Sequence, residues 1–290
     1  MPSEWKLSLG STHTLTDEIT ANFDILVSRG NNALMVTRGD LDPVLDANGN
    51  QALTEQGFPD YVSNRIESYA VTNADEDALS YTLSAAFAGE HDNGLSWSAG
   101  YAYTDAEDVQ GLVSSQATSN YQRTARTDAQ GQVASTSNYN IEHRLTGALT
   151  YTTELFSGYK TRFSAFAVYQ SGEVYSLTED GTGNYARRGS LGELTEDGLV
   201  LVPGHKRNGE EGPSWTKVDV KITQELPGVM DGHKASAFIV IDNFTNLLND
   251  DWGVLEEQDG NYQFSEVGNT PFLKQNASVY EVRIGAEYKF

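Results

Sequence analysis

The sequence predicts an all-β chain that forms part of an antiparallel up-and-down transmembrane β-barrel, with about nine long strands. Three observations lead to this prediction. Apolar and polar residues alternate with a period of two, the alternating segments approach the nine to eleven residues or so of a membrane-spanning strand, and the connections alternate between short and long. Helical periodicity is scarce, and the chain is rich in Gly, Ser, Thr and Tyr, as β proteins are.

Each predicted strand depends on the same alternation. In chain order the segments are WKLSLGS, ITANFDILVS, LSYTLSAAF, LSWSAGYAYT, IEHRLTGALTY, TRFSAFAVYQ, VDVKITQ, KASAFIVIDNF and YEVRIGAEYKF. In the last segment every second residue from Tyr280 to Phe290 is apolar or aromatic, which predicts one apolar and one polar face. The sixth and eighth segments alternate less regularly, because Phe166, Phe238 and Val240 fall on the polar side.

The connections between these segments alternate in length. Four are tight, around THTLTDE, EHDNG, ELFSGYK and PGVMDGHK, and four are long, at roughly residues 31–78, 106–137, 172–213 and 247–275. This alternation predicts a barrel with short periplasmic turns at one rim and long extracellular loops at the other. The long connections also hold most of the net charge of −22, whereas the apolar strand face is nearly free of charge. A charge on a lipid face costs about 2–4 kcal/mol at mid-bilayer, so we expect that face to contact lipid.

A soluble β-sandwich also alternates, and it is the main rival architecture. Two features favour the membrane barrel: the polar face is built from small hydrophilic residues, and Tyr and Trp recur near strand ends, where an interfacial girdle would lie. The girdle candidates are Trp5, Tyr101, Tyr103, Tyr139, Tyr151, Tyr159, Tyr169, Trp215 and Tyr288. No apolar stretch of about 18 residues predicts a transmembrane helix, and the first residues do not resemble a secretory signal peptide.

Composition and motifs exclude several function classes. The acidic charge argues against a nucleic-acid partner, and the absence of cysteine excludes disulfides and thiolate metal sites. The five histidines are scattered and no G-x-S-x-G occurs, so we expect no enzymatic activity, no metal site and no cofactor. DANGN (residues 46–50) has Gln51 where a calcium loop needs Gly, which predicts a turn. EDGTGN (residues 179–184) is a predicted loop tip, and EEGPSW and NDDWG predict a solvated acidic rim.

Charged residues of both signs fall on the polar side of consecutive strands, which a barrel would turn toward its lumen. This predicted lumen-facing ladder consists of Glu142, Arg144, Lys217, Asp219, Lys221, Glu281 and Arg283. One interpretation is structural, with cross-strand ion pairs that each contribute some tenths of a kcal/mol. The other is functional, with a polar track that contacts a plug or a passing solute. Both remain open at the level of sequence.

Two segments resemble a known family. YEVRIGAEYKF resembles the closing strand of Gram-negative outer-membrane proteins, whose terminal aromatic residue is read by the barrel-assembly machinery. That likeness implies an assembly signal at Tyr280, Val282, Ile284, Tyr288 and Phe290. VDVKITQELPG with HKASAFIVIDNFTNLLNDDWG resembles the last strands of TonB-dependent receptors, in the Oar-like branch that carries a carboxypeptidase-regulatory-like domain. YTDAEDV, TSNYNIEHRLTGALTY and GYKTRFSAF fit the same branch.

The resemblance implies that residues 1–290 are the C-terminal part of such a receptor barrel, without its plug or signal peptide. It further implies a place in the outer membrane, in contact with lipid, the barrel-assembly machinery, and the N-terminal barrel and plug of the parent receptor. TonB would act only through the plug, which residues 1–290 lack. The resemblance therefore implies energised uptake of an unknown ligand for the parent receptor as a whole. The alternative is a small outer-membrane or extracellular β-protein with a binding, adhesive or structural role, since eight strands can close around packed side chains.

Overall fold

The structure, a computed structural model, describes residues 1–55, 57–63, 66–131, 133–156, 158–178, 184–188, 193–196, 201–257, 264–266, 272–273 and 275–290. Nine long strands follow one another as neighbours in one antiparallel sheet. They are β1 (Ser3–Thr16), β2 (Ile19–Asn31), β3 (Ala78–Glu90), β4 (Leu95–Asp108), β5 (His143–Phe156), β6 (Tyr159–Gln170), β7 (Trp215–Pro227), β8 (Lys234–Asp242) and β9 (Glu281–Lys289). The predicted antiparallel order of nine strands is confirmed.

The short connections are tight turns at the ends of the strand pairs. β1 and β2 are joined through Asp17 and Glu18, and β3 and β4 through residues 91–94. Gly94 has φ +86°, and a Cβ there would lie 2.2 Å from the carbonyl oxygen of Thr152, so only glycine fits this turn. All four predicted tight turns are confirmed, because residues around Gly158 and residues 228–233 join the other two pairs.

The four long connections all lie at the opposite end of the sheet, because the strands alternate in direction. We call residues 32–77, 109–142, 171–214 and 243–280 the loop layer. Its short strands are Leu34–Arg38, Leu41–Pro43, Tyr61–Ser63, Tyr69–Asn73, Ser135–Thr136, Val174–Thr178, Asn184–Arg188, Glu193–Glu196, Glu210–Glu211, Glu256–Glu257, Phe264–Glu266 and Phe272–Leu273. Its helices are α1 (Ala117–Gln122), α2 (Phe244–Leu248) and α3 (Gln275–Ser278). No helix among the described residues has the length and hydropathy needed to cross a bilayer.

The sheet is open at both edges. Within the described residues β1 pairs with β2 and β9 pairs with β8, and no pairing joins β1 to β9. The small closed barrel expected as an alternative is therefore not formed. The reason is directional: along nine successive antiparallel strands β1 and β9 run the same way, so direct closure would need a parallel seam.

Most buried apolar side chains lie in the loop layer rather than on the sheet. One cluster contains Met35, Ala74, Ala78 and Val109, and a second contains Leu41, Tyr61 and Ala129. By contrast, Leu9 on β1 is 68% exposed and Ile284 on β9 is 80% exposed. Since the described residues place no second layer over the sheet, the β-sandwich alternative is wrong for this part of the chain.

Candidate functional site

The apolar face is the first candidate surface, and the strand register defines it. Residues directly opposite one another on paired strands share a face, as in the row Leu9, Ile25, Leu83 and Tyr103 across four strands. Its members include Trp5, Leu7, Leu9, Phe23, Ile25, Val27, Leu79, Tyr81, Leu83, Phe87, Trp97, Tyr101, Tyr103, Leu145, Leu149, Tyr151, Phe163, Tyr169, Val218, Val220, Ile222, Leu226, Ile239, Ile241, Val282, Ile284 and Tyr288. The face therefore extends across all nine strands.

Charged side chains occur on the apolar face only near the loop layer. Arg29 ends this face on β2, where its Nη2 lies 2.5 Å from Asp77 Oδ2. Asp105 and Glu107 lie at the corresponding end of β4. From there to the turns the described strands place no Asp, Glu, Lys or Arg on this face. The band between is thus free of these four residue types but includes polar side chains such as Ser11, His13 and Gln224.

Aromatic side chains mark both ends of this band. Tyr81, Tyr103 and His143 meet near the loop layer, with ring centroids 6.0 Å apart for the first pair and 5.3 Å for the second. Trp97 and Tyr151 lie nearer the turns. Trp5, Tyr101, Tyr159, Tyr169 and Tyr288 also lie on the apolar face, as the girdle prediction requires.

The girdle prediction is wrong for two residues. Tyr139 belongs to the loop layer and is 75% exposed there. Trp215 lies opposite Gln170 on the other face, where its Nε1 donates a hydrogen bond to the carbonyl oxygen of Gly253 at 3.1 Å. The indole therefore anchors the connection between β8 and β9 instead of marking an interface.

The polar face of the sheet is the second candidate surface. A cavity of about 720 Å³ near the turns is lined by Ser96, Thr150, Arg162 and Ser164, all on the polar side of their strands. Phe166, Phe238 and Val240 lie on this face, as their positions in the sequence predict.

The neighbouring strand provides space for the ring of Phe238 on the polar face. Phe238 lies opposite Gly285, where a Cβ would come within 2.4 Å of the ring, and Lys221 Nζ lies 5.0 Å from the ring centroid. Glycine on β9 therefore makes room for a ring that the binary pattern would not place here, and the lysine adds a cation–π contact.

The structure places the predicted ladder residues on or beside the polar face but does not join them into cross-strand pairs. Lys217 Nζ lies 3.1 Å from Asp219 Oδ1 on the same strand, and Arg283 Nε lies 4.0 Å from Glu281 Oε1, also on one strand. The cross-strand ion pair observed joins Arg283 to Asp242, a residue that the prediction does not include.

The remaining members of the ladder stand apart from one another. Arg144 faces Ala102 and Gln170 on its neighbouring strands, and Lys221 faces Ser164 and Val240. Glu142 precedes β5, and its Oε1 lies 3.5 Å from Nε2 of His143. The strand register sets Arg144 and Lys221 opposite uncharged residues and Glu281 opposite Asp242. The described strands therefore show no ion pair between ladder residues of different strands, and a lumen-facing role for these residues stays a prediction.

Asp219 connects the polar face to the loop layer. Its Oδ1 accepts the backbone N–H of Asn243 at 2.7 Å. Asn243 has φ 53°, caps α2, and donates from Nδ2 to the carbonyl oxygens of Gly253 at 3.0 Å and Ser278 at 2.8 Å. Asparagine before a short helix is a recognised N-cap signal, so the sequence did contain a clue to this buried junction.

The predicted assembly signal lies along the last strand and its flanks. Val282, Ile284 and Tyr288 occupy the apolar face of β9, Tyr280 directly precedes the strand, and Phe290 is 97% exposed. The Tyr288 hydroxyl accepts the N–H of Val229 at 3.1 Å and lies 2.9 Å from His233 Nδ1. The aromatic end thus packs on the turn between β7 and β8, while its recognition by an assembly machinery stays a prediction.

Sequence patterns did not indicate the ion pair that organises the first long connection. Arg38 and Asp40 are both buried and their side chains lie 2.5 Å apart. Burial alone would raise the pKa of the Asp40 carboxyl, but hydrogen bonds from Arg38, Ser63 and the Ser68 backbone outweigh burial and hold the pKa well below its usual range. A carboxylate that is ionised at neutral pH therefore ties together three parts of this connection.

The loop motifs DANGN and EDGTGN lie in the first and third long connections. The DANGN segment is a turn, as predicted: Asp46 Oδ1 accepts the backbone N–H groups of Asn48 at 2.8 Å and Asn50 at 2.9 Å. Those hydrogen bonds lower the pKa of Asp46. Residues 179–183 of the EDGTGN segment lie outside the described residues. Among the residues that are described, no group of three or more His, Asp or Glu side chains is arranged to hold a metal ion.

Comparisons with known proteins give no assignment. The sequence matches no protein-family model, and no curated protein matches it.

Proposed function

We propose that this chain is a wall segment of an outer-membrane β-barrel of the TonB-dependent receptor class, which takes part in ligand uptake when the barrel is complete. The observation that carries the proposal is an apolar face that crosses nine strands, carries Asp, Glu, Lys or Arg only near the loop layer, and is left uncovered by the described residues. The resemblance of the last strands to that receptor class supports the choice among barrel proteins. We assign the chain no enzymatic role and no cofactor.

Hydrocarbon is the medium that suits this face best. Covering a Leu or Ile side chain stabilises a protein by about 1.5–3 kcal/mol, so the uncovered face would represent a large unfavourable exposure in water. The aromatic residues near both ends of the face fit the two headgroup regions of a bilayer.

The open edges indicate what would complete the barrel. In lipid an unpaired backbone N–H or C=O costs several kcal/mol, so β1 and β9 both require neighbouring strands. Because β1 and β9 run in the same direction, an all-antiparallel closure needs an odd number of further strands. We assign these strands to the N-terminal barrel of the parent receptor, and contact with TonB to its plug. The barrel-assembly machinery and outer-membrane lipid are the other proposed partners.

Tryptophan quenching in lipid vesicles tests the proposal. The chain has four tryptophans, and single-tryptophan variants can retain Trp97 on the apolar face or Trp215 on the polar face. The full chain is refolded into phosphatidylcholine vesicles with or without brominated acyl chains. Bromine quenches on contact, so we expect strong quenching of Trp97 and little quenching of Trp215.

The paired design separates insertion from adsorption. A chain that lies on the vesicle surface, or that aggregates there, would show similar quenching of both tryptophans. That result, or an absence of quenching from a chain that floats with the vesicles, would overturn the proposed lipid contact.

A further inference from the structure

A cavity of about 490 Å³ lies inside the loop layer, where three of the long connections meet. Pro59 comes from the first connection, Ala125 and Ala134 from the second, and Leu201 from the third. Cavities of roughly 300–1,000 Å³ with mainly apolar walls and a few convergent polar groups are typical of sites for small molecules. The residues that line this cavity all belong to the loop layer and none to the polar face of the sheet.

The polar groups of this cavity are unusual for so acidic a chain, because three of them are Lys or Arg side chains. Arg126, Lys206 and Arg207 all line it. The Arg126 guanidinium is buried, with its carbon 4.0 Å from the centroid of the Tyr121 ring. Arg207 pairs with Asp108 at 2.8 Å, whereas Lys206 is exposed and forms no ion pair with another described residue.

Hydrogen bonds between the connections hold the walls of the cavity in place. The backbone N–H of Leu201 donates to the carbonyl oxygen of Arg126 at 3.1 Å, and Ser135 Oγ donates to the carbonyl oxygen of Arg207 at 2.5 Å. Both bonds join the second and third connections at residues that line the cavity. A preformed site of this kind binds with a smaller ordering cost than one that must assemble around its ligand.

The acid on the cavity wall is already engaged. Asp128 Oδ1 accepts the Tyr61 hydroxyl at 2.7 Å and the backbone N–H of Gln130 at 2.9 Å. Burial, followed by this hydrogen bond, raises the pKa of Tyr61, so the phenol remains a donor. Three more acids contact lining residues: Glu76 Oε2 accepts the Ala134 N–H at 2.8 Å, Asp108 pairs with Arg207, and Glu210 Oε1 lies 2.7 Å from His205 Nδ1. These carboxylates are therefore engaged as well, and Lys206 is the lining cation for which the described residues supply no ion pair.

We propose that this cavity binds an organic monoanion: a carboxylate or sulfonate group carried on a compact apolar body such as an aromatic ring. The acid group would lie toward Lys206 and Arg126, and the apolar body against Ala125, Ala134 and Leu201. This inference deepens the proposed function, because it gives a ligand class to the loop end of the barrel. The site itself is formed by the described loop residues and does not depend on insertion in lipid.

Titration calorimetry on the full chain in detergent tests the site, with 2-naphthoate as the probe and 2-naphthylmethanol as its uncharged counterpart. We expect saturable binding of naphthoate and at least tenfold weaker binding of the alcohol. Lys206→Gln should weaken naphthoate binding about fivefold, the scale of a partly exposed ion pair. Lys6→Gln is the matched control, because Lys6 is also an exposed lysine but lies on β1, and it should leave the affinity unchanged.

A second variant tests the apolar part of the cavity. Val133 lines the cavity but is 65% exposed, so Val133→Trp should occupy part of the space without disturbing a buried cluster. We expect this variant to weaken binding of both probes. Equal affinities for naphthoate and the alcohol, no saturable binding, or equal effects of the two lysine variants would overturn the inference. Naphthoate binding by a chain that shows no lipid quenching would leave the site standing and reject the membrane proposal.

Discussion

Substitution of Leu83 by Arg provides a stringent test of lipid contact. Leu83 lies five residues from the loop-layer end of β3, on the apolar face and opposite Ile25 and Tyr103. The apolar band of β3 begins beyond Tyr81, which lies opposite Asp105, so Leu83 is its first apolar-face residue. Arg costs about 2–4 kcal/mol at the bilayer midplane and less toward the interfaces, so these values are the upper limit at Leu83. We therefore expect the folding equilibrium in vesicles to fall by up to about 30- to 1000-fold.

Ser84 supplies the matched control, because it is the next residue on the same strand and belongs to the polar face. Arg at this position would lie opposite Asp24 and Ala102, so Ser84→Arg should change stability by less than about 1 kcal/mol. Urea titrations of both variants in phosphatidylcholine vesicles, followed by tryptophan fluorescence and gel mobility, give the two free energies of unfolding. Equal effects of the two substitutions would refute the reasoning, since lipid on one face must distinguish neighbouring residues.

Three further predictions concern the loop layer and the end of the chain. Asp40→Asn removes the carboxylate that pairs with the buried Arg38 and should destabilise the first connection by about 3–5 kcal/mol, which would appear as faster hydrogen exchange over residues 34–73. The control Asp75→Asn changes an exposed acid and should not speed exchange in this region. The pKa of Asp40 is lower in the folded chain than in the unfolded chain. The stability that the ionised carboxylate contributes should therefore be complete above the unfolded pKa of about 3.9 and should disappear as pH falls through the lower folded pKa. Hydrogen exchange measured at decreasing pH can follow this loss. Asn243→Gly retains the positive φ but removes the side-chain bonds, so residues 244–255 should exchange faster than in the wild type, and Asn243→Ala should be more affected still. Deletion of Phe290 should slow assembly in cells but should not slow refolding into protein-free vesicles. Tyr288→Phe removes only the hydroxyl contacts to the turn between β7 and β8, so it should not slow assembly in cells.

The strands could be predicted because their signal is local. A period of two residues requires only neighbouring positions in the chain, and it located all nine strands, including β6 and β8 with their irregular Phe166, Phe238 and Val240. The alternation of connection lengths likewise follows from strand positions alone. The expected end of β4 near Thr104 was short by four residues, since the strand continues to Asp108 as the pattern fades.

The charge pairs and the loop layer could not be predicted because they depend on register and on distant contacts. Lys221 faces Ser164 on one side and Val240 on the other, a result fixed by the turns that align three strands rather than by any one segment. The bond from Tyr61 to Asp128 joins residues 67 positions apart in segments without periodicity. Only the cap at Asn243 had a local signal.

The distribution of buried side chains separates two sources of stability in this chain. The loop layer has its own apolar clusters around Met35 and Leu41 and its own buried ion pair, so its cohesion is internal. The sheet depends on whatever covers its apolar face. At about 1.5–3 kcal/mol for each covered side chain, five residues such as Leu9 or Ile284 already equal the whole stability of an ordinary domain, about 5–15 kcal/mol. Lipid on this face, as proposed above, would therefore add a contribution as large as the whole stability of an ordinary domain.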